Sequence, residues 1–227
     1  MVKSVLIIML ILLIGCQGIE PSIVPINPPI IDGILSPGEW DAARQESFTD
    51  GSQLYLMASA GSLYLGIRSN TTGLIAGNVY IALGTGISIL HTSAALGTAV
   101  YQQGSVSWAL TRDFTWSCRD SSNSEAARAE REAFLQQEKW VGSTSYMGIP
   151  EELEYRIQLT GEPLHLAVTF LRAADPGMRI AWPVGLQDDT LHQTPGGLPA
   201  SLSFSPEEWA EITVNADGEL EININNP

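Results

Sequence analysis

Three tryptophans, Trp108, Trp116 and Trp140, are the residues of this 227-residue chain best suited to hold a ligand without reacting with it. Indole faces stack well on other flat surfaces and bury large areas. The three surround a stretch rich in Ala, Glu and Arg, with Phe114 nearby. They either form a stacking surface or pack a helix onto a sheet. Signals for covalent or hydrolytic chemistry are missing: the chain has no His-Glu-x-x-His, no Gly-x-Ser-x-Gly and no phosphate loop. Carboxylates abound, but a glycosidase needs two at a set separation, which spacing along a chain does not give. Asp188-Asp189 has the oxygen chemistry of a calcium ligand or is a solvated loop. This reading assigns no catalytic residue, no metal site and no cofactor.

Cys16 carries a different chemistry. Lys3 precedes an unbroken apolar run from Val5 to Ile14, and small Gly15 stands before the cysteine. A charged start, an apolar core and a small-residue cut site make a secretory signal. The run is too short to span a bilayer, which takes about 20 apolar residues. Leu13-Ile14-Gly15-Cys16 resembles the bacterial lipobox, which implies cleavage before Cys16 and a diacylglycerol on its sulfur. From Gln17 to Pro29 four prolines favour an extended tether, reaching about 40 Å at roughly 3.1 Å per residue. The expected divisions are therefore a signal over 1–15, a lipid-bearing tether over 16–29 and one domain over 30–227.

Charge narrows the partners. The net charge is −14, from 25 acidic and 11 basic residues. Nucleic acid calls for a basic face, so it is excluded. Beyond the signal the one lysine is Lys139, so the domain is repelled by anionic headgroups and only the lipid would hold it at a membrane. Cys118 is the other cysteine; with Cys16 lipidated it has no partner and reads as a buried, inert thiol.

The elements that must position these residues are mostly strands. Leu54–Ala58 and Leu63–Ile67 flank a turn. Val79–Leu83 closes on Gly84-Thr85-Gly86, and Val106–Leu110 alternates in part. Leu153–Leu159 alternates strictly, which predicts one wet and one buried face. Leu164–Leu171 follows, and Ile212–Val214 and Leu220–Ile224 flank an Asp-Gly hairpin signal. Gln187–Ser205 reads as loop. Glu125–Lys139 is the exception, a run of helix formers with Ser122 at capping-box spacing and Ala126, Ala129, Ala133 and Trp140 near one face, beside Phe134. It covers a sheet edge or acts as a lid. The sum is an all-β, two-sheet antiparallel sandwich with one helical insertion, about 124–139.

Ile31-Asp32-Gly33, then Gly38-Glu39-Trp40 and Ala42, resembles the opening of family 9 carbohydrate-binding modules and DOMON-like sandwiches. Leu63-Tyr64-Leu65, Glu154-Tyr155-Arg156-Ile157, Trp182-Pro183 and Trp209-Ala210-Glu211-Ile212 continue the likeness in order. The resemblance implies a β-sandwich and a sugar held between two tryptophans, one just before the strand after Leu-Tyr-Val and one in the loop after Trp-Pro. Here those stretches, Leu74–Asn78 and Val184–Ala200, hold no aromatic residue. Trp40 reads as a core anchor. Some related sandwiches bind haem through Met with Lys or His. Met57, Met147, Met178, Lys139, His91, His165 and His192 are available, yet no spacing selects a pair and Cys-x-x-Cys-His is absent.

The expected function is a membrane-anchored, extracytoplasmic lipoprotein of the cell envelope that presents a non-catalytic domain for a saccharide or another small ligand. The alternative is a structural or partner-binding envelope protein with no small-ligand site. A carbohydrate-active enzyme or a haem-binding sandwich comes third.

Overall fold

The computed structural model describes residues 27–93, 95–119, 124–144, 151–192, 198–215 and 217–224. The signal, Cys16, the tether as far as Ile26, Ser122, Met147, Pro195-Gly196-Gly197 and the side chain of His192 lie outside the described residues. The strands are β1 (Arg44–Ser47), β2 (Gln53–Ser59), β3 (Ser62–Arg68), β4 (Ile75–Leu83), β5 (Gly86–Thr92), β6 (Leu96–Gln103) and β7 (Trp108–Ser117). After helix α1 (Glu125–Glu138) come β8 (Trp140–Thr144), β9 (Glu152–Gln158), β10 (Leu164–Arg172), β11 (Asp175–Trp182), β12 (Ser201–Leu202), β13 (Ala210–Val214) and β14 (Leu220–Ile224).

They form two antiparallel sheets. The smaller runs β1-β2-β3-β9-β8; the larger, nine-stranded sheet runs β12-β7-β6-β5-β4-β10-β13-β14, with β11 also paired to β10. The expected all-β, two-sheet architecture with one helix is present. Successive strand residues point to opposite faces. Leu54, Leu56, Leu63, Leu65, Leu153 and Tyr155 of the smaller sheet therefore meet Val79, Leu166, Val168 and Phe170 of the larger in the main core.

Both sheets carry apolar residues on their outer faces as well. Tyr80, Ile87, Ile89, Ala99 and Tyr101 lie on the outer side of the larger sheet, covered by Leu191, Leu202, Phe204 and Trp209. The stretch 187–205 is thus not simply polar loop. It includes the short 3₁₀ turn Asp189–His192 and strand β12, and Leu191, Leu198, Leu202 and Phe204 pack over part of the sheet. Buried Asp188 holds it there, accepting from Thr190 N (3.0 Å), Ser205 N (2.9 Å) and Trp209 Nε1 (3.1 Å). Those bonds explain Asp188 without a cation.

On the smaller sheet, Leu35 and Trp40 pack against Met57 and Tyr64. Gly66 provides the room, since a Cβ there would come within 2.9 Å of Leu35 and 3.3 Å of Trp40. The amides of Asp32 and Gly33 donate to Glu154 Oε2 at 2.8 and 2.7 Å, and Leu35 N donates to Glu152 Oε2 at 2.8 Å. The strict alternation over Leu153–Leu159 predicted that Glu154 faces water. It is buried instead, as is Glu152, because the segment before β1 folds over them and supplies amide donors to replace the water.

α1 closes the side of the sandwich. Arg112 of β7 pairs with Glu138 (2.9 Å), and Arg156 of β9 pairs with Glu132 (2.7 Å), so the helix is tied to both sheets. Its N-cap is Ser124, whose side chain accepts from Ala127 N at 3.2 Å. Its buried face is Ala127, Arg131, Phe134 and Leu135, whereas Ala126, Ala129 and Ala133 are exposed. Larger Phe134 and Leu135 bury more area than three alanines and set the face. Covering the β7 and β8 edges is the role an exposed sheet margin calls for.

Candidate functional site

The structure separates the three tryptophans. Trp140 is in the main core, stacked on Tyr155 at 6.1 Å, with Nε1 donating to Thr98 Oγ1 at 2.8 Å. Trp108 is on the outer side of the larger sheet but buried, and its Nε1 donates to Phe204 O at 3.1 Å. Trp116 alone of the three is open to solvent, with 46 % of its surface exposed. The three form no common platform.

Trp116 has other companions. β7 extends past its expected end at Leu110 to Ser117, which puts Trp116 opposite Gly97. Gly97 pairs with His91, and His91 with Asn78, so four strands place one row across the outer face. A Cβ on Gly97 would come within 2.8 Å of the Trp116 ring, so the indole lies down over the glycine. Phe114 sits beside it at 4.8 Å and 35°. His91 meets both rings edge-on, at 5.2 Å from Trp116 and 5.7 Å from Phe114.

His91 is half-buried and bonds through Nδ1 to Asn78 Oδ1 at 2.7 Å. Burial holds its pKa down to about 4, so the ring is neutral at pH 7. Asn78 Nδ2 donates to Tyr80 Oη at 3.3 Å, and Tyr80 Oη donates to Leu191 O at 2.7 Å. This chain of bonds runs from the open half of the face to its covered half. The site is therefore an aromatic surface beside a neutral, oriented imidazole. It is suited to stacking and hydrogen bonding; the described residues around it supply no nucleophile–base pair. Leu74, in a stretch where the resemblance expects a tryptophan, lies on β4's approach to this row and is 66 % exposed.

Other constellations are already committed within the fold. A hollow of about 270 Å³ lies by Pro37, Trp40, Tyr55 and Arg68. Its cation is taken: Arg68 Nε bonds Glu152 Oε1 at 2.7 Å, Nη2 bonds Leu35 O at 2.9 Å, and the guanidinium lies 5.7 Å over the Tyr55 ring. Cys118 is buried and donates to Glu130 O at 3.4 Å, and burial raises its thiol to about 11. Among the described residues no group of three or more His, Cys, Asp or Glu is placed to hold a metal, and no helix is long and apolar enough to cross a membrane.

Comparison with protein-family models, with curated proteins and with solved structures finds no match to this chain.

Sequence reasoning found Trp116 and Phe114 but missed their link to His91 and Asn78. The signal was present at Gly84-Thr85. A two-residue turn there sets the β4–β5 register, which puts Asn78 opposite His91. The β6 strand that brings Trp116 alongside, Leu-Gly-Thr-Ala-Val-Tyr-Gln-Gln, does not alternate apolar with polar residues.

Proposed function

We propose that this chain is a membrane-anchored, extracytoplasmic lipoprotein whose sandwich is a non-catalytic binding domain, with the surface around Trp116 as its ligand site. The exposure of Trp116 carries this reading. A large indole held flat by Gly97 and flanked by Phe114 and His91 offers solvent a ready-made stacking face. Leu74–Asn78 leads into the same row, but it lacks the tryptophan that the resemblance expects there, so Trp116 would have to supply the stacking face instead. The ligand class that fits is a saccharide or another small ring compound. The anchoring half rests on Leu13-Ile14-Gly15-Cys16 and the apolar run before it.

Two experiments test it. Mass spectrometry of the mature N-terminus should find Cys16 as the first residue, bearing diacylglycerol; an intact Met1 or an unmodified Cys16 counts against the anchor. Calorimetry on the soluble domain against a broad sugar panel should give a saturable signal that Trp116→Ala removes. Flat responses throughout would reject the saccharide version. A structural or partner-binding protein is the second reading, favoured by the exposed apolar side chains of Leu74 and Val184. Crosslinking in envelopes should then trap one consistent protein neighbour in a manner that Trp116→Ala weakens.

A further inference from the structure

The bond chain behind Trp116 has a direction, set from its far end. Its fixed end is the Leu191 carbonyl, which can accept but never donate. Tyr80 Oη, 2.7 Å away, commits the phenol's single proton to that carbonyl. Toward Asn78 the phenol oxygen is then an acceptor, and the amide must present Nδ2 to it, at 3.3 Å. Turning the amide round would set two oxygens against each other with no hydrogen between them. Asn78 Oδ1 therefore faces His91 Nδ1 at 2.7 Å and requires a proton on that nitrogen. Burial keeps the imidazole neutral at pH 7, so it has one proton to place. Nδ1 takes it, and Nε2 is left with a lone pair.

Resting on the binding reading above, we infer that His91 is the specificity-determining acceptor of this surface: its bare Nε2 selects rings that carry O–H or N–H donors and turns away anions. The charge balance agrees. The side-chain hydrogen bond and ring contacts of His91 are with Asn78, Phe114 and Trp116, none of them basic, and the chain as a whole carries −14. A carboxylate or phosphate would meet the Nε2 lone pair, and the partners of His91 named above offer it no cation. A hydroxyl-bearing ring stacked on Trp116 can donate to Nε2 from its edge.

The test uses ¹⁵N-labelled protein and three probes: glucose, glucosamine with its amine at C2, and glucuronate with its carboxylate at C6. Long-range ¹H–¹⁵N spectra of the protein alone report the His91 tautomer. The expected result is a proton on Nδ1, with Asn78→Ala converting it to a mixture. Glucose and glucosamine should shift the Trp116 indole and His91 Nε2 signals while glucuronate leaves both unmoved. His91→Phe keeps a flat ring but removes the acceptor, and should weaken glucose binding about three- to tenfold, the usual range for one hydrogen bond. A proton on Nε2, or glucuronate binding as well as glucose through Trp116, would overturn the assignment of His91 and leave the binding surface standing. If no probe moves the Trp116 signal, the ligand class and the saccharide reading fall together.

Discussion

Trp40 and Glu154 are 114 positions apart, yet the Trp40 indole N–H donates to the Glu154 carboxyl at 3.3 Å in a buried site. With the Asp32 and Gly33 amides, three N–H groups of the chain's opening segment converge on one side chain of β9. The opening motif is thereby a clasp over the smaller sheet.

That clasp should make stability fall with pH. Burial raises Glu154 from an ordinary 4.5 to about 8, more than the nearby N–H donors lower it. Between these values the unfolded chain loses a proton that the folded one keeps, so the contribution is full below 4.5 and is lost as pH rises through about 8. His91, lowered from 6.5 to about 4, acts in the opposite sense below 6.5. The clean window is therefore pH 6.5 to 8, where a single proton is worth at most about 2 kcal/mol. Thermal melts should show Tm dropping by about 4–8 °C across it. Glu154→Gln should flatten the profile, and an unchanged slope in that variant would remove Glu154 as the cause.

A buried ion pair joins the two sheets at one end. Arg172 of β10 pairs with Asp50, between β1 and β2, and also reaches Ser52 Oγ at 3.2 Å and Asn70. Arg172→Met strands the Asp50 charge and should cost about 3–5 kcal/mol in urea unfolding. The double variant Asp50→Asn/Arg172→Met should recover much of that. Equal losses in the single and double variants would mean that the cost is packing rather than charge.

Gly97 governs how Trp116 lies. A methyl there would come within 2.8 Å of the indole and 3.1 Å of Phe114. Gly97→Ala should lift Trp116 off the sheet, shift its emission to longer wavelength and abolish ligand binding while far-UV circular dichroism stays the same. Emission and binding that match the parent protein would show that the indole does not depend on the glycine.

Cys118 should behave as an inert thiol. Its burial and its pKa near 11 leave almost no thiolate at pH 8. In the Cys16→Ser chain, Ellman's reagent should react negligibly with folded protein and release one equivalent after denaturation. Rapid labelling of the folded protein would show an access path to the thiol.

Much of this protein was legible from one dimension. Strands with strong apolar or aromatic patterns, such as Leu63–Ile67 and Leu153–Leu159, and the Asp-Gly hairpin at the end, are local signals that pairing reinforces. The helix was visible because Glu125–Glu138 is made of helix formers. Tertiary structure decided the rest. β5 and β6 lie inside the larger sheet, where neighbours on both sides satisfy their backbone groups. Glu154 alternates as a surface residue should, yet a distant loop buries it. Trp108, Trp116 and Trp140 are chemically the same residue, and sequence gives no means of ranking them. Which indole meets solvent depends on what covers each face: segment 187–205 buries Trp108, the opposing sheet and α1 bury Trp140, and the open half of the larger sheet leaves Trp116 beside His91. Burial is a property of the other elements that arrive at a side chain, so no reading of its own neighbours along the chain can supply it.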